Sequence, residues 1–268
     1  IMVVYAFSTA AGDFTLENFA RMGTYTAVFT RSFKLAIIAT LIALLIGYPV
    51  SYMLSKEGPQ VQRIAMVLIM LPMWMNFLLR TYSWMSILEN NGLLNQLFQQ
   101  IGLIDLYNQI AMHFASDPAA YVPIDHFQMI GTQGAVVLGM VYNYLPFMIL
   151  PIYSVLVKLD HSLIEAARDL GASSVQVFRK VILPLSLPGV LSGITMVFVP
   201  SVSTFAISRL LGGGTQMMLG DLIEQQFLGG AYNPQLGAAI ALVMMAIVVV
   251  CMLVMNRFGD GEEQAVML

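Results

Sequence analysis

The chain has 268 residues, of which 58% are hydrophobic and only 10% charged, and its mean hydropathy is +0.78. Soluble domains carry about a quarter charged residues, so an ordinary water-soluble fold is excluded. A net charge of −3 with no basic stripe excludes a nucleic-acid binder.

The chain opens on Ile1-Met2-Val3-Val4-Tyr5-Ala6-Phe7, which reads as the tail of a helix whose start precedes Ile1, without a signal-peptide pattern. Five complete spans are expected, at 32–54, 64–87, 133–157, 186–207 and 236–256, each of the roughly 20 residues that the hydrocarbon layer demands. With the partial first helix they make six. Pro49, Pro72, Pro146, Pro151 and Pro200 fall inside these spans. A proline there frees a carbonyl and kinks the helix, which suits a transport path and ordinary bundle packing alike. Cys251, the single cysteine, lies in the last span and can form no internal disulfide.

Lys and Arg are distributed unevenly between the two sides. Lys56, Arg63, Lys158, Arg168, Arg179, Lys180 and Arg257 fall on one side. Arg21, Arg31 and Arg209 fall on the other, with Lys34 and Arg80 in span ends facing it. The richer side is expected to be cytoplasmic, which places both termini inside and 9–31, 89–132 and 208–235 outside. Segment 89–132 is an external insert with no Lys or Arg, containing Pro118 and Pro123. Its stretch from Gly92 to Ile110 is expected to form an amphipathic helix, and the insert to cap the outer mouth, to meet an external partner or to serve as a solvated connection. His113 and His126 lack metal-ligand spacing, so no metal site is expected.

The segment 158–185 is the most informative. Ser162 with Glu165 has the spacing of a capping box, so a helix is expected to start there, and Gly171 suits the left-handed residue that ends it. A second short helix is expected from Ser174, with Pro184 and Pro188 near the start of the next span. Leu163, Ile164, Ala167 and Leu170 recur at helical spacing and are expected to form one apolar ridge on a helix kept slim by Ala166 and Ala167. The alternative is an amphipathic helix resting on the lipid surface.

Glu165-Ala166-Ala167, three residues, Gly171, nine residues, then Val181-x-Leu183-Pro184 resembles the EAA motif of ABC importer permeases. The usual isoleucine is replaced by Val181, a mild apolar change. Further strings resemble the spermidine/putrescine (PotB-like) permease family: Leu71 to Tyr82, Asn91 to Asn95, Leu145 to Tyr153, Leu159-Asp160, Leu210 to Gly214 and Leu219 to Ile223. The likeness spans most of 13–256 and thins around 109–130. Permeases for iron, thiamine, phosphonates and opines share part of these strings.

The resemblance implies an all-α integral membrane protein, the type I ABC importer transmembrane domain (MetI-like), as a single permease domain over 1–268. It implies a bacterial inner-membrane location, with a sister permease as heterodimer partner, two ATPase subunits and an external substrate-binding protein. Glu165, Ala166, Ala167, Arg168, Leu170, Gly171 and Pro184 would couple the chain to the ATPase. ATP and Mg would bind that partner and no cofactor this chain, in keeping with the lack of a G-x-x-x-x-G-K-[ST] string. A polyamine cargo would be met by aromatic faces and carboxylates. The candidates are Trp74, Asn76, Tyr82, Trp84, Glu89, Tyr142, Asn143, Tyr144, Asp221 and Glu224. The aromatic residues equally suit an interfacial belt, and Asp221 with Glu224 a solvated turn. Arg80 would oppose a cationic path unless it snorkels outward or pairs with Glu89. An ion-coupled carrier would show repeats and membrane-centre carboxylates, and neither is found. An intramembrane enzyme would need a polar catalytic set in the spans, and none is recognisable.

Overall fold

The computed structural model describes residues 1–9, 11–114, 122–230 and 232–266, with side chains excepted at His161 and beyond Val254; Pro118 and the side chain of Arg257 therefore lie outside it. The described residues are almost wholly helical. A short helix α1 (Met2–Ala6) leads through a turn to α2 (Glu17–Arg21), which passes through a 3₁₀ turn into α3 (Thr26–Ser55). Ser32, Ala36, Ala39, Ala43, Gly47 and Ser51 are buried along one stripe of α3. Small residues at such spacing let membrane helices approach closely.

The expected span 64–87 is not one helix. It divides into α4 (Pro59–Trp74) and α5 (Phe77–Leu88), and the chain turns by 90° between Pro59–Trp74 and the helices that follow. The cause is local. Asn76 leaves the helical conformation, and its Oδ1 accepts from Leu78 N at 2.8 Å and Leu79 N at 3.4 Å. That cap, four residues after Pro72, starts a fresh helix at Phe77.

The stretch expected as one amphipathic helix is two, α6 (Leu93–Gln100) and α7 (Leu103–Phe114), parted at Gly102 with φ +70°. Asn95 and Asn108 strap both to the returning chain. Asn95 bonds Phe127 through its carbonyl and amide, each at 3.0 Å, and Asn108 does the same to Ile124 at 2.9 and 3.0 Å. Phe98 and Tyr107 stand edge-on to Phe127.

Helix α8 (Gln133–Leu156) is the central element, packed against α3 and the later span. Two short helices follow, α9 (His161–Asp169) and α10 (Ser174–Val177), then one π-turn at Phe178–Ile182 and α11 (Leu183–Ser203). The span expected at 186–207 therefore starts earlier and stops at Thr204. A separate α12 (Ala206–Leu211), a glycine turn and α13 (Leu219–Leu228) fold back beside it, and α14 (Pro234–Val266) completes the chain. Gly220 permits that fold-back: a β-carbon there would stand 2.4 Å from the Ser203 carbonyl oxygen and 2.5 Å from that of Thr204.

Among the described residues four segments, Glu17–Ser55, Gln133–Leu156, Ser174–Ser203 and Pro234–Val254, are long and apolar enough to cross a membrane, and the bent pair, counted as one span, makes a fifth. Met148, Ile152, Val190 and Val197 form the middle of the core. Leu41, Leu45, Leu68, Leu71, Met245 and Leu253 remain exposed, the distribution a lipid solvent favours.

Candidate coupling loop and substrate path

Helix α9 starts two residues earlier than the capping-box spacing suggests. Asp160, not Ser162, is its cap, and its carboxylate accepts from Ser162 N at 2.9 Å. A charged acceptor already in place before the helix is a stronger cap than the hydroxyl two residues on. The far end closes as a Schellman motif: Ala172 N–H donates to the Ala167 carbonyl at 3.1 Å and Gly171 N–H to that of Arg168 at 2.8 Å. Gly171 takes φ +81° there. Helix α10 has a reciprocal cap between Ser173 and Gln176, and Pro184 occupies the first turn of α11.

The apolar ridge expected on α9 is divided between two faces. Ile164 and Ala167, with Ala172, pack on the core cluster that runs from Val177 of α10 and Ile182 of the π-turn to Leu156 at the end of α8. Leu163 is 47% exposed and Leu170 90% exposed, with Glu165, Ala166, Arg168 and Gly171 exposed beside them. One face thus fixes the helix to the bundle and the other is presented outward. Phe178, not singled out from sequence, ties the loop to α3. Tyr52 and Tyr48 meet its ring edge-on at 5.5 and 5.9 Å. The Tyr48 hydroxyl lies 2.9 Å from Ser186 Oγ, and Lys56 Nζ sits 3.8 Å above the Tyr52 ring. The aromatic residues of the string 48–52 were the available signal, but the pairing partner lies beyond 120 residues of intervening chain.

The candidate path residues fall into three groups. Trp84 and Tyr142 are brought together, ring centroids 5.3 Å apart, and Tyr144 packs on the same core cluster. Asn143 is buried beside them. Its amide donates to the Gly139 carbonyl at 2.8 Å, and its Oδ1 has no hydrogen-bond partner. Trp74, Asn76 and Tyr82 are exposed around the α4–α5 break, and Glu89 is exposed at the end of α5. Asp221 and Glu224 belong to the third group, in the α12–α13 hairpin. Asp221 is 4% exposed. Its Oδ2 accepts from the Ser208 hydroxyl and from Met218 N–H. Glu224 faces Arg209, with N···O separations of 2.6 and 3.1 Å. Burial pushes the Asp221 carboxyl above its ordinary value, an effect reinforced by Glu224 and opposed by Ser208, Met218 and Arg209.

Arg80 lies on the buried face of α5, one turn from Phe77 and from Trp84, and is 8% exposed. Its Nε and Nη1 have no partner, so neither snorkelling nor a pair with Glu89 describes it among the described residues. No group of metal-ligating side chains occurs among the described residues.

Residues 39–261 match the model of the family described as "Binding-protein-dependent transport system inner membrane component". The chain is 36% identical over 246 residues to the spermidine/putrescine transport system permease protein PotB of Salmonella typhimurium, covering 91% of this chain and 79% of that protein. It is 37% identical over 240 residues to PotB of Haemophilus influenzae, covering 88% and 77%. In fold it is similar to a chain of a bacterial ABC transporter involved in alginate import, with TM-score 0.74 and 14% identity, covering 96% of this chain and 87% of the other.

Proposed function

The chain belongs to the family of binding-protein-dependent transport system inner membrane components, as a PotB-like permease of an ABC importer, and from that premise we propose that it moves polyamines inward. The observation that carries this cargo is its likeness to permeases named for spermidine and putrescine over about nine-tenths of its length. In this reading the chain has no ATPase site. It pairs with a sister permease, receives cargo from an external binding protein, and takes its energy from two ATPase subunits that bind ATP and Mg, with both of its own termini cytoplasmic.

The exposed face of α9 is the part that seats in the ATPase. Glu165, Ala166, Arg168, Leu170 and Gly171 present that face, while Ile164 and Ala167 hold it to the bundle. Closure of the ATPases moves α9, and the Phe178 contact with Tyr48 and Tyr52 carries the displacement to α3. The bundle then alternates between outward and inward openings. Trp84, Tyr142 and Tyr144 offer aromatic faces along the path, each contributing about 0.5–2 kcal/mol to a passing ammonium.

The test is uptake of labelled spermidine and putrescine in cells lacking this gene and redundant polyamine carriers, restored with wild type, Glu165→Arg or Gly171→Asp. Uptake regained with wild type and absent with both variants is the expected result. Uptake unaffected by the deletion would remove polyamines as cargo, and undiminished uptake by both variants would remove α9 as the docking element.

A further inference from the structure

The turn between α12 and α13 lines a small, partly open cavity of about 40 Å³, bordered by Ser208, Arg209, Gln216, Asp221 and Gln225 among others. Asp221 Oδ1 and Gln216 Oε1 are buried there without a hydrogen-bond partner. With Asp221 ionised both atoms are acceptors, and the missing component is then a donor or a positive charge. The Gln216 amide nitrogen is turned toward Thr215 Oγ1, at 3.4 Å, and does not supply it. Arg209 does not supply it either, because its guanidinium is engaged by Glu224. Arg209 is thus the one cation beside both carboxyl groups, and Asp221 Oδ1 is left without a hydrogen-bond partner in a residue 4% exposed. An unpaired acceptor out of water is destabilising, and a charged one more so.

The size of the space restricts the occupant. A water molecule's share of liquid volume is about 30 Å³, so the cavity takes one water-sized group. We infer that this cavity binds one small monovalent cation, an alkali ion or a primary ammonium group, held by Asp221 Oδ1 and Gln216 Oε1. Larger cations such as choline do not fit. The ammonium source rests on the polyamine reading, whereas the alkali-ion source does not.

Hydrogen–deuterium exchange of the assembled transporter in lipid nanodiscs tests the site. Sodium chloride, methylammonium chloride and choline chloride are compared at matched ionic strength. A cation that binds only the closed turn slows exchange of amides 216–228, about tenfold at ten times its dissociation constant, and leaves 93–114 unchanged. Slowing by sodium alone identifies an inorganic ion, slowing by methylammonium alone identifies an amine head group, and slowing by both identifies a site selecting only charge and size. Asp221→Asn keeps an acceptor for Met218 N–H and should abolish the effect. Gln216→Leu, which leaves the helix cap untouched, should reduce it. Equal exchange of wild type in all three salts would mean that water alone fills the cavity and would overturn the proposal. An undiminished cation response in Asp221→Asn would do the same. Spermidine uptake, measured separately, bears only on the permease reading.

Discussion

Gly193 of α11 lies directly against Met148 of α8, where a β-carbon would stand 2.8 Å from the methionine sulfur and 3.1 Å from its carbonyl oxygen. The side chain of Met148 is fully buried, and Gly47 of α3 closes on it from another side. The central helix is thus held by two close approaches that any larger residue would spread. Gly193→Leu should lower the stability of the purified subunit by about 1–3 kcal/mol, the usual cost of overpacking. Gly134→Ala, where the nearest atom is an ordinary 3.6 Å away, should be neutral or slightly stabilising. Thermal unfolding in detergent distinguishes the two.

Phe178 makes the ring contacts between the 158–185 loop and α3 among the described residues. Edge-on aromatic pairs contribute about 0.5–1.5 kcal/mol each beyond area burial. Phe178→Leu keeps apolar volume while removing both pairs. It should leave ATP hydrolysis by the assembled transporter largely intact and reduce cargo moved per ATP several-fold. Parallel measurement of phosphate release and uptake in proteoliposomes gives the ratio.

The spans were legible because apolar runs of sufficient length have few alternatives in lipid, and α3 and α8 fall close to their expected limits. The break at Asn76 was not legible. Pro72 suggested only a kink, and whether an asparagine caps a new helix depends on backbone placement rather than spacing. The cap of α9 illustrates the same limit at smaller scale, since Asp160 and Ser162 both suit the position and the carboxylate prevails. In the candidate site, Gly171 announced its left-handed turn, because few other residues adopt that conformation cheaply. The burial of Asp221 gave no signal in the string itself: its hydroxyl partner Ser208 lies on a separate helix, reached only through the fold-back at Gly220. Asn95 and Asn108 read as ordinary polar residues in a connection, yet their side chains serve as backbone surrogates across the insert.

Asp221 makes stability dependent on pH in a defined direction. Burial raises its folded-state pKa above the ordinary 3.8. Below 3.8 both folded and unfolded chains carry the proton, and the carboxyl costs nothing extra. As pH rises from 3.8 through the folded value the unfolded chain loses its proton first, so stability falls, and above the folded value the loss is complete. The slope is at most about 1.4 kcal/mol per pH unit for one proton. Protection of amides 216–228 in choline chloride, corrected for the intrinsic pH dependence of exchange, should fall across that window in wild type and stay flat in Asp221→Asn, which should be the more protected of the two at neutral pH.

Arg80 presents a different electrostatic cost. Its guanidinium is buried with Nε and Nη1 unpaired, on a helix face shared with Phe77, Thr81, Trp84 and Leu88. Replacing a buried, unsatisfied charge by an apolar side chain of similar length is often stabilising, by about 1–4 kcal/mol. Arg80→Met should therefore raise the unfolding temperature of the isolated subunit. Arg80→Ala should raise it less, because removal of the aliphatic stem leaves a void. A lower unfolding temperature for Arg80→Met would mean that the guanidinium has a compensating partner.

Asn95 is 1% exposed and spans the gap between α6 and the returning chain, donating to the carbonyls of Glu89 and Phe127 and accepting from Phe127 N–H. Asn95→Ala strands the amide and the carbonyl of Phe127 at once, while the Glu89 carbonyl keeps its bond from Gly92 N–H at 2.8 Å. At about 1–3 kcal/mol for each group left buried without a partner, the loss exceeds what Asn108 and the Phe98–Phe127–Tyr107 ring cluster can hold together. The segment 122–130 should then exchange its amides faster by more than tenfold, since about 1.4 kcal/mol corresponds to a factor of ten in an opening equilibrium. The bundle does not depend on these bonds, so α8 and α11 should keep their protection. Loosening confined to 93–130 would establish the insert as a separately stabilised unit, and protection lost throughout α8 would instead make it part of the bundle's cooperative core.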